Sequence, residues 1–350
     1  MVEWKKLGEV CEVLRGKRLT KSQLNDNEVY PVLHGGSTPM GYYNTYNRKA
    51  NTTVVVNTGN AGSVFFYDKE FWSSDACFSL YPNEKLLDKF LYLYVYGCER
   101  ILKGKIRAGA MPTIDANAVK SLLIPIPSLE EQNRIVGILD TFTASIDNLK
   151  KQITQRRKQY EFYRDQLLDL EGKEGVEMKT SDFCHLKAGK SIKAEELNPY
   201  SKYPCYGGNG VRGYIDFFSH DGCYPIIGRQ GALCGCVNWA TGKFYATEHA
   251  VVATSKNIVN QRFLFYLFQN ANLNQYKTQG AQPGLSVAKL NEISFKIPSL
   301  SEQERIVKIL DTFEASITNL ETQLAMRQKQ YEYYRNKLLT FPAPLATAQS

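Results

Sequence analysis

The sequence predicts an α+β chain built as two similar globular halves joined by two long helices, and three observations carry that prediction. Residues 126–168, IPSLEEQNRIVGILDTFTASIDNLKKQITQRRKQYEFYRDQLL, recur at 297–339 as IPSLSEQERIVKILDTFEASITNLETQLAMRQKQYEYYRNKLL, without a gap and with roughly two-thirds of positions identical. Within both copies apolar residues recur at alternating steps of four and three, the period of a coiled-coil seam. The stretches before each copy carry short β-patterned runs broken by glycine-rich loops.

The seam runs through Ile135, Leu139, Phe142, Ile146, Leu149, Ile153, Tyr160, Tyr163 and Leu167 in the first copy. In the second it runs through Ile306, Leu310, Phe313, Ile317, Leu320, Leu324, Tyr331, Tyr334 and Leu338. Ser128 and Ser299 stand three residues before Glu131 and Glu302, the spacing of a capping box at a helix start. A helix of this extent reaches about 63 Å at 1.5 Å per residue. A globule separates the copies, so the chain can return and pair them antiparallel with pseudo-two-fold symmetry, and Gly172 and Gly175 permit the reversal. Pairing with the helices of a second copy satisfies the same pattern. Arg156 and Arg327 interrupt the seam at one shared position, either as snorkelling side chains or as register-setting polar residues.

The duplication extends more weakly into the globules. Val2-Glu3-Trp4 and Val176-Glu177-Met178 begin the two copies, and Tyr30-Pro31, Gly35-Gly36 and Gly41-Tyr42 match Tyr203-Pro204, Gly207-Gly208 and Gly213-Tyr214. Gly59-Asn60-Ala61-Gly62 aligns with Gly228-Arg229-Gln230-Gly231, and Gly109-Ala110-Met111-Pro112 with Gly280-Ala281-Gln282-Pro283. Thr52–Asn57, Ser63–Tyr67, Tyr224–Ile227 and Ala250–Ala253 read as strands, and Phe90–Tyr96 and Phe263–Phe268 as short buried helices.

With 43 % hydrophobic and 22 % charged residues the chain is neither disordered nor fibrous. No apolar run is long enough to cross a bilayer and the N-terminus has no signal-peptide core, so the expected location is the cytoplasm. The eight cysteines show no paired zinc spacing and read as buried reduced thiols.

Enzyme motifs fail on their own residues. Ala188-Gly189-Lys190-Ser191 resembles the end of a phosphate loop, but Cys184 stands where the first glycine belongs. Asn198-Pro199-Tyr200 lacks the second proline of an amino-methyltransferase tetrapeptide. No catalytic residue, metal site or cofactor is expected.

A net charge of +8 suits a polyanionic partner. The candidate DNA-binding residues are Arg15, Lys17, Arg18, His34, Asn60 and Arg107 in the first globule. In the second they are Lys190, Arg212, Arg229, Gln230 and Gln282. Lys21, Lys103 and Lys105, and Lys187, Lys193, Asn209, Lys243 and Gln279, stand in the same loops. Arg and Lys pair with guanine edges, Asn and Gln with adenine, and other cations hold phosphate. Arg229-Gln230, set between glycines, is the leading pair. An interaction scaffold whose globules bind protein is the alternative reading.

The repeated Pro-Ser-Leu-x-Glu-Gln-x-x-Ile-Val motif, each time closing a globule and opening a long helix, resembles type I restriction-modification specificity subunits over nearly the whole chain. The resemblance implies target-recognition domains at 1–125 and 172–296, conserved coiled-coil helices at 126–171 and 297–341, and a flexible tail at 342–350. It implies that each domain reads half of a split, asymmetric site in double-stranded DNA and that helix length sets the gap. The partners it implies are two modification subunits and, where present, restriction subunits, with the specificity chain itself non-catalytic.

Overall fold

The computed structural model describes residues 2–36, 38–231, 233–278 and 283–342. The expected tail therefore lies, from residue 343 onward, outside the described residues. The chain divides into two compact units, one of Met1–Leu149 with Gln323–Ser350 and one of Lys150–Thr322.

The first unit begins with β1 (Glu3–Lys6), α1 (Leu7–Val10) and β2 (Cys11–Arg15). It continues through β3 (Tyr30–Leu33), β4 (Tyr42–Tyr43), β5 (Thr52–Val56), β6 (Val64–Tyr67), β7 (Trp72–Ser73) and β8 (Cys77–Pro82). Then come α2 (Asp88–Gly97), α3 (Glu99–Lys103), α4 (Ala116–Lys120), β9 (Leu123–Ile126) and the long helix α5 (Leu129–Leu168), whose first half belongs to this unit. The strands form a four-stranded sheet ordered β2-β8-β5-β6, a three-stranded sheet β4-β3-β7, and the pair β1-β9. Every residue of β5 is buried, which explains its unbroken Thr-Thr-Val-Val-Val run.

The second unit repeats this plan with β10 (Val176–Lys179), α6 (Thr180–Phe183), β11 (Cys184–Ala188), β12 (Tyr203–Gly207), β13 (Gly210–Ile215), β14 (His220–Gly228), β15 (Val237–Ala246) and β16 (Ala250–Ser255). It closes with α7 (Gln261–Asn270), α8 (Val287–Asn291), β17 (Ser294–Ile297) and the first part of α9 (Leu300–Leu338). Here β15 runs unbroken where the first unit has the separate β6 and β7, so six strands join in the order β11-β16-β14-β15-β12-β13. The starting register differs by one residue from the sequence alignment: Glu3 pairs with Ile126 and Val176 with Ile297, so Glu3 rather than Val2 is the counterpart of Val176. In α7 the six consecutive residues from Phe263 to Phe268 are all buried, so this stretch of the helix is enclosed by its unit.

The two long helices pair within the chain. In the second unit Tyr163 stacks on Phe313 at 5.4 Å and Arg157 pairs with Glu321, so residue numbers fall on α5 as they rise on α9: the pairing is antiparallel. In the first unit Phe142 stacks on Tyr334 at 5.3 Å. Each seam arginine lies over the partner helix's phenylalanine, Arg156 over Phe313 at 5.8 Å and Arg327 over Phe142 at 5.6 Å. These cations thus pack on aromatic faces within the seam.

Not all expected seam positions face only a helix. Ile135 and Leu139 are fully buried in the first globular core, which also takes Tyr331 and Leu338 from the end of α9. Ile306 and Leu310 are likewise in the second core, with Tyr160 and Leu167 packed against it. Ile146, Leu149 and Ile153 are buried, and Ile317, Leu320 and Leu324 half-buried.

The capping box forms only by half. Ser128 and Ser299 accept the Glu131 and Glu302 N–H groups at 3.3 Å, but the glutamate side chains turn outward to Arg134 and Arg305 at 2.7 Å. The next residue, glutamine in both copies, is fully buried and ties helix to globule. Gln132 Nε2 donates to the carbonyls of Lys85 (2.8 Å) and Pro127 (3.0 Å), while its Oε1 accepts the Leu87 N–H (2.9 Å) at the start of α2. Gln303 bonds the carbonyls of Ile258 and Pro298 and the N–H of Asn260 at the start of α7.

Replacing Gln132 or Gln303 by alanine strands a buried N–H and two carbonyls. A loss of about 2–4 kcal/mol in urea unfolding is expected for each. Removing the exposed Glu131–Arg134 pair should leave the midpoint nearly unmoved.

Candidate nucleic-acid interface

In each unit five chain segments meet at one end of the sheet, and the two meetings repeat hydrogen bond by hydrogen bond. Gly16 N–H donates to Cys77 O (3.1 Å) as Gly189 N–H does to Ala250 O (3.0 Å). Ser74 N–H donates to Leu33 O (3.0 Å) as Thr247 N–H does to Tyr206 O (2.9 Å). Asn57 N–H reaches Ala76 O and Arg229 N–H reaches His249 O, both at 2.9 Å. Gly59 N–H donates to Pro112 O and Gly231 N–H to Pro283 O, at 3.3 and 3.1 Å.

These bonds correct the sequence alignment of the turn. Gly59 (φ 88°) corresponds to Gly231 (φ 90°), not to Gly228, so Arg229 has its counterpart in Asn57 and Gln230 in Thr58. The first unit thus places Asn57, not Asn60, where the second has arginine. A separate one-residue shift, set by the Leu33 and Tyr206 carbonyls, aligns Gly35 with Gly208 rather than Gly207: a Cβ on Gly35 would stand 2.6 Å from Thr58 O, and one on Gly208 2.7 Å from Gln230 O. The loops cross so closely that a side chain has no room. Gly189 has the same role: its Cβ would stand 1.9 Å from Ala246 O, so the phosphate-loop resemblance at Ala188–Ser191 reflects a backbone crossing after β11.

In the first unit Arg15, Arg18 and His34 line one cleft with Thr58, Gly59 and Asp75. Arg15 Nε is held by Asp75 O at 2.9 Å, and His34 Nδ1 lies 2.8 Å from Ser74 Oγ. Burial pushes the Cys77 thiol below the cleft up to about 11, keeping it neutral. Lys17 is exposed beside Arg18, and its carbonyl accepts the Trp72 indole at 2.8 Å. Arg107 pairs with Asp115 at 2.6 Å at the foot of the loop carrying Met111. Asn60 falls elsewhere, in a groove with Phe66, Tyr92, Tyr96 and Glu99. Lys103 pairs with Glu99 and Lys105 with Ser121 Oγ, both at 2.8 Å, and Lys21 opens a short turn.

In the second unit Gln230 is exposed and Arg229 half-buried, its backbone fixed by His249 and Leu285. Lys190 and Arg212 are exposed, with the Arg212 stem against Gly207, the counterpart of His34. Lys243 lies over the Phe218 ring at 4.6 Å. Lys187 stands near His220, whose pKa is lowered, first by burial and then by that cation. Lys193 and Asn209 lie in turns flanking β12. Gln279 and Gln282 lie outside the described residues.

Sequence reasoning missed Asn57, Asp75, Glu248 and His249. The hydroxyl-acid pairs Ser74-Asp75 and Thr247-Glu248, each just before a buried strand, were the available signal. All eight cysteines are free, but Cys223 and Cys236 are exposed rather than buried. Among the described residues no His/Cys/Asp/Glu group is arranged to hold a metal, and no helix is long and apolar enough to cross a membrane.

Fold and loops together define a duplicated α+β protein, with the same crossing of polar loops at one end of the sheet in each unit. The chain belongs to the type I restriction-modification DNA specificity family, whose domain matches twice, over residues 1–156 and 173–326. It is 39 % identical over 254 residues to the type I restriction enzyme EcoprrI specificity subunit of Escherichia coli, covering 68 % of this chain and 63 %, under two thirds, of that relative. A putative type I specificity subunit of Mycoplasma pneumoniae is 24 % identical over 95 % of this chain and 96 % of its own. In fold the chain is similar to the crystal structure of a type I restriction-modification S subunit from M. genitalium, with a TM-score of 0.72 at 20 % identity, covering 98 % and 97 % of the two chains.

Gly35→Ala, with φ +70° and a carbonyl 2.6 Å from the new methyl, forces the loop crossing apart. The expected cost is about 1–3 kcal/mol in unfolding of the full chain. Gly97→Ala, with nothing within 4 Å, should not destabilise it.

Proposed function

We propose that this chain is the sequence-reading, non-catalytic subunit of a type I restriction-modification complex. Residues 1–125 and 172–296 are its two target-recognition domains, each reading one half of a bipartite, asymmetric site in double-stranded DNA. The observation that carries the reading is the twofold match to the specificity domain, over clefts that share a backbone frame and differ in side chains. Two different half-sites call for that combination: a common way of presenting loops to a duplex, and different groups at their tips.

In the first cleft Arg15, Arg18 and His34, with Lys17 and Arg107 beside them, supply base donors and phosphate cations; in the second, Lys190, Arg212, Arg229 and Gln230 do so. Asn60, in its separate groove, takes a flanking role. The helices α5 and α9, at 40 and 39 residues about 60 Å long, set the unread gap. Half-sites one helical turn apart lie about 34 Å from each other. The same helices dock two modification subunits, which bring the methyl donor and its chemistry, and restriction subunits join where the system has them. The complex acts in the cytoplasm.

Methylome sequencing of cells carrying the intact complex tests this, and a split motif is expected. Inserting one heptad into both α5 and α9 should lengthen the gap and leave both halves unchanged; an unaltered gap would remove the spacer role. Affinity for the motif duplex should fall steeply with salt, and salt-independent binding would favour a protein scaffold instead. Arg229→Ala should relax one base position by about 1–3 kcal/mol; uniform weakening across sequences would make Arg229 a phosphate contact.

A further inference from the structure

Each loop crossing, with basic residues on its loops, carries a carboxylate that phosphate binding does not explain. Asp75 and Glu248 occupy the same place in the shared hydrogen-bond frame. Each follows a hydroxyl residue, Ser74 or Thr247, whose side-chain oxygen accepts the N–H two residues on, at 3.2 and 3.4 Å. Each precedes the residue whose carbonyl takes the N–H of Asn57 or Arg229. Among the described residues, Asp75 Oδ1 and Glu248 Oε2 are buried polar atoms without a hydrogen-bond partner, as are Arg229 Nε and His249 Nδ1, on two residues joined by the Arg229 N–H to His249 O bond. Glu248 Oε1 lies 3.1 Å from His249 Nε2.

Such an arrangement is unfavourable twice over in the free protein. A buried carboxylate oxygen without a donor costs folding free energy. An anion within a surface that lies on phosphates weakens binding to every sequence alike. Both costs are offset if the bound duplex presents a donor. Phosphates present none. In the major groove the donors are the exocyclic amino groups, cytosine N4 and adenine N6, while guanine and thymine place a carbonyl oxygen there. An oxygen with no partner in the free protein has no bond of its own to give up to a base, although turning the Glu248 side chain also exchanges its Oε1 contact with His249.

We infer that Asp75 and Glu248 are specificity-determining residues, each accepting a hydrogen bond from the exocyclic amino group of a cytosine or adenine in its own half-site. The inference rests on the clefts being the DNA-reading surfaces. It assigns the basic residues around each acid mainly to phosphates and guanine edges, and the acid to strand discrimination: cytosine over guanine, adenine over thymine, on the contacted strand.

The full chain, assembled with its modification subunits, is titrated with the motif duplex and with duplexes lacking one amino group, purine replacing adenine or 2-pyrimidinone replacing cytosine. For the intact protein, one such replacement in each half-site should cost about tenfold in affinity. For Asp75→Ala the replacement in one half should cost nothing further, and for Glu248→Ala the same should hold in the other half. Asp75→Asn and Glu248→Gln, which keep the volume, serve if an alanine variant does not assemble; they should weaken discrimination at the same single position. Equal losses for intact and variant protein at every replacement would overturn the inference. So would coupling seen only when inosine replaces guanine, which removes a minor-groove amino group. An intact complex without any split motif would instead overturn the DNA-reading assignment itself.

Discussion

A glutamine shut away from water must find donors and acceptors for its whole amide within the protein. Gln132 and Gln303 do this at the joint between each globule and its long helix, spanning the strand exit at Pro127 or Pro298 and the start of α2 or α7. Three hydrogen bonds of fixed direction leave little freedom in how the helix leaves the globule. The buried Ile135 and Leu139, and Ile306 and Leu310, then fill the core one and two turns further on. The clefts, the sheets and the seam are all attached to this joint. In the second unit Arg262 of α7 adds to it, bonding Asp311 and Glu314 of α9 under a cover of Trp239, Phe265 and Tyr266. In the first unit Lys89 of α2 reaches Asp140 of α5 at 3.5 Å.

The clefts show how one frame carries two chemistries. Their geometry comes from backbone meeting backbone, at Gly35 over Thr58 and Gly208 over Gln230, and backbone contacts are indifferent to neighbouring side chains. Asn57 and Arg229, Ala76 and His249, His34 and Gly207 therefore differ at matched positions without changing the frame. The acid is kept, as Asp75 and Glu248, and so is the hydroxyl that turns the chain before it, as Ser74 and Thr247. Variation at the tips over a fixed crossing suits a protein whose halves meet different base sequences.

The sequence by itself determined the duplication, the helix period, the buried Phe263–Phe268 helix segment and the strands read at Thr52–Asn57 and Ala250–Ala253, which the structure ends at Val56 and Ser255, because these depend on local periodicity and on which faces must leave water. It also located most of the basic residues, though not which of them share a cleft: Arg15, Arg18 and His34 do, Asn60 does not. Only the tertiary structure decided the true register of the Gly59 and Gly231 turns, three residues from where matching glycines had put it. Glycine letters recur for several reasons, whereas the hydrogen bond from Asn57 or Arg229 to the crossing strand has one geometry. The tertiary structure likewise decided that the repeated glutamine is buried while the glutamate before it faces solvent. Both are polar letters on a helix, and only the globule packed above Gln132 and Gln303 separates them.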